Sequence, residues 1–244
     1  LMSGVTLVPQ AVFDPQVVIE RVAEESITVL PGPPTIYRSI LDHLDGLPLD
    51  TSTLRLAVTG AAPVSADLVD EMRDLLGFET VLTGYGLTEA SGVTTTGHHN
   101  DPPNLAATSS GRALPGIDLN VADDNGEPVP AGEPGQVLIR GYNVMAGYLD
   151  DEAGTPTAVA PDGWLHTGDT GVLDEAGNLK VTGRSTDMYI SGGFNVYPAE
   201  VEAVLAAHPD IDRAVVVGVP DDRMGEVGMA FVVPSGGRPV DPSA

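Results

Sequence analysis

The sequence predicts an α/β protein, because three kinds of pattern follow one another along the chain. Residues 15–83 alternate short apolar runs with amphipathic helices, residues 111–183 alternate apolar and polar residues between turn sequences, and extended and helical stretches follow residue 184. Strands separated by helices of about 10–12 residues are typical of crossover units in a parallel sheet. We therefore expect a parallel αβ sheet, then a small β-barrel-like part, then a partial α+β domain.

The first part contains three helices and three strands in alternation. Pro15 favours a helix start at its first turn, and Ser65 is a typical N-cap. The predicted elements are helix 15–25, strand 27–30, helix 35–44, strand 54–58, a helix after Ser65 whose Leu68, Met72, Leu75 and Leu76 share one face, and strand 80–83. Ligands bind at the carboxyl ends of such strands, so loops 59–63 and 84–96 are the candidate binding loops.

The second and third parts are predicted from their turns and apolar runs. Residues 123–126 and 175–178 are turn sequences, and strands are expected over 136–141 and 178–182. After residue 184 we expect an extended stretch over 188–190, a helix over 199–207, and strands over 213–219 and 229–233.

Composition excludes several classes of function. Eleven basic residues against 35 acidic ones give a formal net charge of −24, which argues against sequence-independent nucleic-acid binding. The absence of cysteine removes disulfides, thiolate zinc sites and cysteine nucleophiles, and no apolar run reaches the length of a transmembrane helix. The single lysine, Lys180, lacks the context of a Walker loop. We expect a cytoplasmic protein, and we expect this chain, which begins at Leu1, to be the interior of a longer one.

The loop over residues 83–89 has the richest chemistry. Gly84 and Gly86 would let the backbone approach a ligand closely. Tyr85 offers an aromatic face, Thr88 a hydroxyl for a phosphate oxygen, and Glu89 a carboxylate for a divalent metal. Spacing alone leaves open an ordinary glycine-rich turn between a strand and a helix.

Two further stretches carry candidate binding residues. Residues 164–169 end in Asp169, whose carboxylate could accept both hydroxyls of a ribose. Residues 183–187 place Arg184 in a glycine-flanked loop, where it could face an anion or a ribose. The alternatives are that Asp169 is a turn residue and that Arg184 forms a surface ion pair with Asp187.

Taken together, residues 83–89, 164–169 and 183–202 resemble the core motifs of the adenylate-forming superfamily. Their order and spacing resemble the acyl-CoA synthetases and ligases most, and the resemblance extends from about residue 5 to residue 233. It implies that residues 1–110 are the α/β part of the large AMP-binding domain and residues 111–186 its β-rich part. Residues 187–244 would then be the hinge and a partial small C-terminal domain.

The resemblance also assigns roles on the adenine side. Tyr85 would stack on the adenine ring, and Gly86 would bring the backbone close to the nucleotide. Gly60, Ala61 and Ala62 would form the opposite wall of the adenine and acyl pocket.

For the phosphates, the metal and the ribose, the resemblance implies three catalytic residues. Thr88 would contact the α-phosphate, Glu89 would hold Mg²⁺, and Arg184 would assist at the ribose. Asp169 would bind the ribose hydroxyls.

The last implied roles concern a domain rotation between two half-reactions. Asp187 would be the hinge, and Gly192 and Gly193 would line the tunnel for the pantetheine arm of CoA. Ile190 stands where many members of the superfamily have a lysine.

The activity implied is that of an ATP-dependent acyl-CoA ligase acting on a fatty or ring-bearing acid, with ATP, Mg²⁺ and CoA. A carboxylate attacks the α-phosphorus to give acyl-AMP and pyrophosphate, and the CoA thiol then displaces AMP. The resemblance places the phosphate loop before Leu1 and the catalytic lysine after Ala244, so we expect the chain alone to be inactive. Two alternatives are a domain that loads a carrier protein and a non-catalytic nucleotide-binding remnant. Whether the protein forms a homodimer is left open.

Overall fold

The computed structural model describes residues 4–44, 50–62, 64–149, 158–185, 187–221 and 223–235. The chain divides into two compact units. The first comprises Leu1–Ile117 with Asn143–Met145 and Gly177–Leu179, and the second comprises the remainder. The domain boundaries expected at residues 110/111 and 186/187 stay predictions.

The first unit is built on a five-stranded sheet with the order β1-β2-β3-β4-β5. Strands β1, β2 and β3 pair in parallel, and β4 and β5 extend the sheet in antiparallel pairing. The strands are β1 (Val29–Pro31), β2 (Leu56–Gly60), β3 (Thr80–Tyr85), β4 (Thr95–Thr96) and β5 (Arg112–Ala113); the helices are α1 (Pro15–Glu24), α2 (Pro34–Leu41), α3 (Ala66–Leu76) and α4 (Leu105–Thr108). This confirms the predicted α/β class with parallel strands.

Local chemistry fixes where helix α3 begins and ends. The Ser65 hydroxyl accepts a hydrogen bond from the Leu68 amide at 3.2 Å, as expected of an N-cap. The helix ends at Gly77, whose φ of 77° lies in the left-handed region that glycine adopts without steric cost.

The predicted buried face of α3 is partly wrong. Leu68, Val69, Met72 and Leu76 are buried, whereas Leu75 is 55% exposed. Successive helix residues advance by about 100°, so Leu75 projects beyond one edge of the apolar stripe and Val69 completes the other edge.

Tyr37 joins helix α2 to the sheet. Its side chain is fully buried, and its hydroxyl lies 2.7 Å from the Leu30 carbonyl oxygen and 3.1 Å from that of Val58. Because burial disfavours the charged phenolate, the pKa of Tyr37 is raised well above its usual value, and the phenol remains a hydrogen-bond donor. The hydroxyl therefore links helix α2 to the middle residues of strands β1 and β2.

The second unit contains two four-stranded sheets. The first has the order β6-β7-β8-β9, with β6 (Ile117–Ala122), β7 (Pro134–Gly141), β8 (Leu165–Leu173) and β9 (Leu179–Arg184). Within the described residues this sheet has two edge strands, β6 and β9, so the β-barrel-like part predicted from the sequence is an open sheet rather than a closed barrel. Turn-punctuated β patterns do not distinguish the two, because closure depends on strand tilt and stagger.

The other sheet of the second unit has the order β11-β10-β13-β12 and carries helix α5. The elements are β10 (Tyr189–Ser191), β11 (Phe194–Val196), α5 (Pro198–Ala206), β12 (Ile211–Asp221) and β13 (Gly225–Pro234). Gly218 and Gly228 face each other across β12 and β13, and a Cβ at either position would clash with Tyr189. The glycine pair thus forms the slot that buries the Tyr189 ring.

In the described ranges, no helix has both the length and the apolar composition needed to span a bilayer.

Candidate functional site

Strands β2 and β3 end side by side, and each ends in a glycine. Gly60 and Gly84 are register partners, and a Cβ on Gly60 would collide with the Gly84 carbonyl oxygen. Ala61 follows with φ of 65°, a left-handed conformation that is uncommon for a residue with a Cβ. Ala61 and Ala62 are both exposed. The predicted wall residues therefore lie at the carboxyl edge of the sheet, where α/β proteins bind ligands.

The loop after β3 returns on itself. The Thr94 amide donates to the Tyr85 carbonyl oxygen at 2.8 Å, and the Tyr85 amide donates to the Thr95 hydroxyl at 3.3 Å. A Cβ on Gly86 would clash with the Gly92 carbonyl oxygen, so glycine is needed where the two arms of the loop meet. The loop geometry accounts for Gly86 and places Tyr85 at the neck of the loop.

A short 3-10 turn over Thr88–Ala90 presents the two oxygen-bearing side chains of the loop. Thr88 is exposed, Glu89 is half-buried, and Ala90 is fully buried beneath them. The neighbouring Ser91 has φ of 56°. Left-handed conformations at Ala61 and Ser91 store backbone strain, which proteins concentrate at functional sites.

The groups at this edge fit a nucleotide with a hard divalent cation. Mg²⁺ is commonly held by one or two carboxylates together with substrate phosphates, and Glu89 provides one carboxylate. The buried Thr59 hydroxyl, beside Gly60, has no hydrogen-bond partner within the described part of the chain. An orphaned buried hydroxyl is costly, so it marks a place where a further polar partner would be stabilising.

In the second unit, Asp169 and Arg184 lie together on the neighbouring strands β8 and β9. The Arg184 Nε atom is 3.3 Å from Asp169 Oδ1, and the side chains are 70% and 12% exposed. The predicted alternative paired Arg184 with Asp187, whereas the ion pair shown by the structure is with Asp169. The carboxylate is therefore sheltered beside a solvent-facing guanidinium.

The backbone around Asp169 is fixed by short hydrogen bonds. The Asp169 amide donates to the Thr167 hydroxyl at 3.1 Å, and that hydroxyl donates to the Val137 carbonyl oxygen at 2.8 Å. The Ser185 amide and hydroxyl both donate to the Gly168 carbonyl oxygen at 2.9 Å. Strand β8, which carries Asp169, is thus hydrogen-bonded to Ser185, the residue that follows Arg184.

Arg184 and Asp187 also line a common cavity of about 510 Å³ within the second unit, together with Tyr189, Glu202 and other residues of α5, β12 and β13. The Asp187 amide donates to the Arg184 carbonyl oxygen at 3.1 Å, which closes a turn between them. The hinge residue expected from the sequence therefore lies directly between β9 and β10.

Gly192 and Gly193 form the two-residue turn between β10 and β11. Their φ values are 58° and 88°, and the flanking Ser191 and Phe194 are register partners. A hairpin turn with two positive φ angles strongly favours glycine, so the turn alone explains both residues. A role in a pantetheine tunnel stays a prediction.

The predicted site residues divide between the two units: Gly60, Ala61, Ala62, Tyr85, Gly86, Thr88 and Glu89 belong to the first, and Asp169, Arg184, Asp187, Gly192 and Gly193 to the second. The sequence analysis missed Asn143, whose side chain donates to the Ala90 carbonyl oxygen at 3.1 Å. That contact joins residues far apart in the chain, so no local pattern reveals it.

The strand-end loop contains the acidic residue Glu89, and the Asp169–Arg184 pair lies on the neighbouring strands β8 and β9. The family itself is shown by comparison with known proteins. Residues 1–149 match the model of the AMP-binding enzyme family, and residues 200–243 match that of the AMP-binding enzyme C-terminal domain. The chain belongs to the AMP-binding enzyme family, within the adenylate-forming superfamily.

Two curated relatives are 52% identical to the chain. Both are named 3-[(3aS,4S,7aS)-7a-methyl-1,5-dioxo-octahydro-1H-inden-4-yl]propanoyl:CoA ligase. The Mycobacterium tuberculosis protein aligns over 99% of this chain and 46% of its own length, and the Rhodococcus jostii protein over 96% and 43%. A feruloyl-CoA synthase from Amycolatopsis is 41% identical over 99% of the chain and 48% of its own length. The chain thus spans less than half the length of these relatives.

Solved structures show the same fold. An amide bond synthetase, McbA from Marinactinospora thermotolerans, superimposes with a TM-score of 0.85 at 36% identity, over 95% of this chain and 46% of that one. The o-succinylbenzoate CoA synthetase MenE from Bacillus subtilis, in complex with the acyl-adenylate intermediate OSB-AMP, gives 0.81 at 32% identity, over 95% and 46%.

Proposed function

We propose that this chain is part of an ATP-dependent acyl-CoA ligase that activates a carboxylic acid as acyl-AMP and transfers the acyl group to CoA. The observation that carries the proposal is the 52% identity to two CoA ligases over nearly the whole chain. The loop geometry supports it, since β3 ends in the aromatic residue Tyr85 and the short turn that follows carries the Thr88 hydroxyl and the Glu89 carboxylate.

In this proposal, some residues of the chain bind the nucleotide and Mg²⁺, and others orient the groups that do so. Tyr85 would stack on adenine, Thr88 would donate to an α-phosphate oxygen, and Asp169 would accept both ribose hydroxyls. Glu89 would hold Mg²⁺, which when bound neutralises charge on the phosphates. Arg184, whose Nε atom lies 3.3 Å from Asp169 Oδ1, would orient that carboxylate. Catalysis of this kind depends mainly on positioning and on electrostatic stabilisation.

For the acid substrate we propose a ring-bearing acid, with a bicyclic propanoic acid as the first candidate. Both relatives at 52% identity are named for an octahydroindenyl propanoyl group, and the feruloyl-CoA synthase at 41% is named for an aromatic acid. A fatty acid is the alternative within the same reaction.

A panel of carboxylic acids tests the proposal. The full-length protein that contains this chain would be incubated with ATP, Mg²⁺, CoA and bicyclic propanoic, hydroxycinnamic or fatty acids. Pyrophosphate release and acyl-CoA would be measured for each acid. Acid-dependent release of pyrophosphate with matching acyl-CoA is expected, whereas hydrolysis of ATP independent of any acid would contradict the proposal.

A primary amine is the second candidate acceptor for the acyl group, in place of CoA. The amide bond synthetase McbA is similar to the chain at 36% identity. Replacing CoA by a primary amine in the same panel distinguishes the two acceptors. We expect thioester to form faster than amide.

Replacing Asp169 by alanine should weaken binding of ATP at least tenfold, because a hydrogen bond to a charged group contributes about 1.5–3 kcal/mol. Folding should change little, since Arg184 is 70% exposed and such pairs contribute little to stability. Calorimetric titration with ATP would measure the affinity. Asp118→Ala is the matched control, because Asp118 pairs with Arg140 on the same sheet and is 61% exposed. Unchanged affinity in Asp169→Ala would contradict the ribose role.

A further inference from the structure

A segment more than fifty residues downstream holds the turn that carries Thr88 and Glu89. This segment, Asn143–Met145, belongs to the same compact unit as the turn. The Met145 amide donates to the Glu89 carbonyl oxygen at 2.8 Å, and the Ser91 hydroxyl donates to the Asn143 carbonyl oxygen at 2.8 Å. The Asn143 side-chain amide donates to the Ala90 carbonyl oxygen at 3.1 Å. Three consecutive residues of the turn are thus bound to one short segment.

The Asn143 side chain is buried in an orientation that its neighbours dictate. The residue is 5% exposed, and its Nδ2 atom faces the Ala90 carbonyl and, at 3.4 Å, the Thr94 hydroxyl. A carbonyl oxygen only accepts hydrogen bonds, so the amide nitrogen must face Ala90. Within the described residues nothing donates to Asn143 Oδ1. The amide nitrogen therefore donates to the turn although the amide oxygen has no partner among the described residues. Burying an unpaired oxygen costs free energy, and packing alone would not require an amide here.

The turn needs such support because its own hydrogen bonds are few. Inside the loop, the Ala90 and Gly92 amides donate to the Leu87 carbonyl oxygen, and the Ser91 amide donates to that of Thr88. Ser91 has left-handed backbone geometry, which persists only where the surroundings over-determine it. Without the downstream segment, the peptide units of Glu89 and Ala90 would lose two of the bonds that fix their direction.

We propose that Asn143 is a positioning residue for adenylation, which holds the Thr88–Glu89 pair in the orientation that binds Mg²⁺ and the α-phosphate. Asn143 acts through the turn. This inference rests on the proposed ligase function, and it adds a residue that the superfamily motifs quoted above do not contain. Because thioester formation starts from acyl-AMP that is already made, the adenylation half-reaction should depend on Asn143 more strongly.

The test uses three variants of the full-length protein. Asn143→Leu keeps a side chain branched at Cγ in the buried site and removes the donor, so the hydrogen bond is lost while the site stays filled. Ser91→Ala removes the hydrogen bond from the Ser91 hydroxyl to the Asn143 carbonyl oxygen at an exposed position, so it replaces the first variant if that variant folds poorly. Asn104→Leu makes the same chemical change at an exposed residue of the same unit and is the matched control.

The first readout is independent of activity. Hydrogen exchange of the amides of residues 88–92 should accelerate about tenfold in Asn143→Leu, which removes the bonds to Ala90 and Thr94. The acceleration should be smaller in Ser91→Ala, which removes one bond at an exposed position. The second readout is the Mg²⁺ concentration that gives half-maximal pyrophosphate release. It should rise about three- to tenfold in Asn143→Leu, with thioester formation from supplied acyl-AMP within twofold of wild type.

The outcomes distinguish failure of the Asn143 inference from failure of the proposed ligase function. Unchanged exchange and unchanged Mg²⁺ dependence in a folded Asn143→Leu would overturn the inference, and so would equal losses in both half-reactions. An Asn104→Leu variant that matches Asn143→Leu in both readouts would also overturn it. If wild-type protein makes no acyl-AMP from any acid, the proposed function fails, while the exchange measurement still decides whether Asn143 holds the turn.

Discussion

The 244-residue chain on its own is expected to form no detectable acyl-AMP and to bind nucleotide weakly. Adenylation places negative charge on the α-phosphate and on the leaving pyrophosphate, and one positioned cation or donor typically contributes about 3–4 kcal/mol, or 10²–10³ in rate. The single lysine of the chain, Lys180, is exposed on strand β9. The formal net charge of −24 also repels a triphosphate.

This expectation is tested by trapping acyl-AMP with hydroxylamine. The chain would be incubated with ATP, Mg²⁺ and a pool of fatty and ring-bearing acids, with the full-length protein as the positive control and circular dichroism as the check of folding. A hydroxamate signal clearly above the blank without protein would show that the 244 residues suffice for adenylation, which would contradict this expectation.

Replacing Asp187 by proline in the full-length protein should impair thioester formation far more than adenylation. Proline fixes φ near −65° and has no amide hydrogen, so the backbone rotation proposed at this position would be blocked. The bond from the Asp187 amide to the Arg184 carbonyl oxygen would also be lost. If the C-terminal domain rotates at Asp187 between the two half-reactions, adenylation would need one orientation only, whereas the full cycle would need two. We expect a loss of at least tenfold in the second half-reaction relative to the first.

Single-turnover measurements separate the two half-reactions. Pyrophosphate release reports adenylation, and acyl-CoA formation from purified acyl-AMP reports the second step. Asp187→Ala, which removes the carboxylate but leaves the backbone free, should shift the ratio of the two rates less than Asp187→Pro does. Equal loss of both rates in the proline variant would argue against a hinge at Asp187.

The sequence predicts those features that depend on neighbouring residues. The parallel strands β2 and β3, the helix between them and the Ser65 cap follow from apolar periodicity and local hydrogen bonding, and the structure confirms them. The predicted strand over residues 80–83 also brings Tyr85 to a strand end, because β3 ends at Tyr85. Local sequence patterns are sufficient for these parts of the molecule.

Features that depend on distant residues are those the sequence analysis missed. The Asn143 contact with Ala90, the pairing of Arg184 with Asp169 and the Tyr189 slot between Gly218 and Gly228 each join separate elements. The exposure of Leu75 was missed for the same reason. Which residues at the edge of an apolar helix face become buried depends on the distant residues that pack against the helix.

The most direct test of the proposed acyl-adenylate route follows one oxygen atom of the carboxylic acid into the products. If the carboxylate of the acid attacks the α-phosphorus of ATP and pyrophosphate leaves, the new acyl–phosphate mixed anhydride is bridged by one carboxylate oxygen. When the CoA thiol displaces AMP, the acyl C–O bond breaks, and that oxygen leaves with AMP.

With an acid whose carboxylate is labelled with ¹⁸O, mass spectrometry of the nucleotide product in the full-length protein should therefore show AMP with one heavy oxygen atom, formed in equal amount with acyl-CoA and unlabelled pyrophosphate. Unlabelled AMP, or ADP formed together with labelled phosphate, would contradict an acyl-adenylate route.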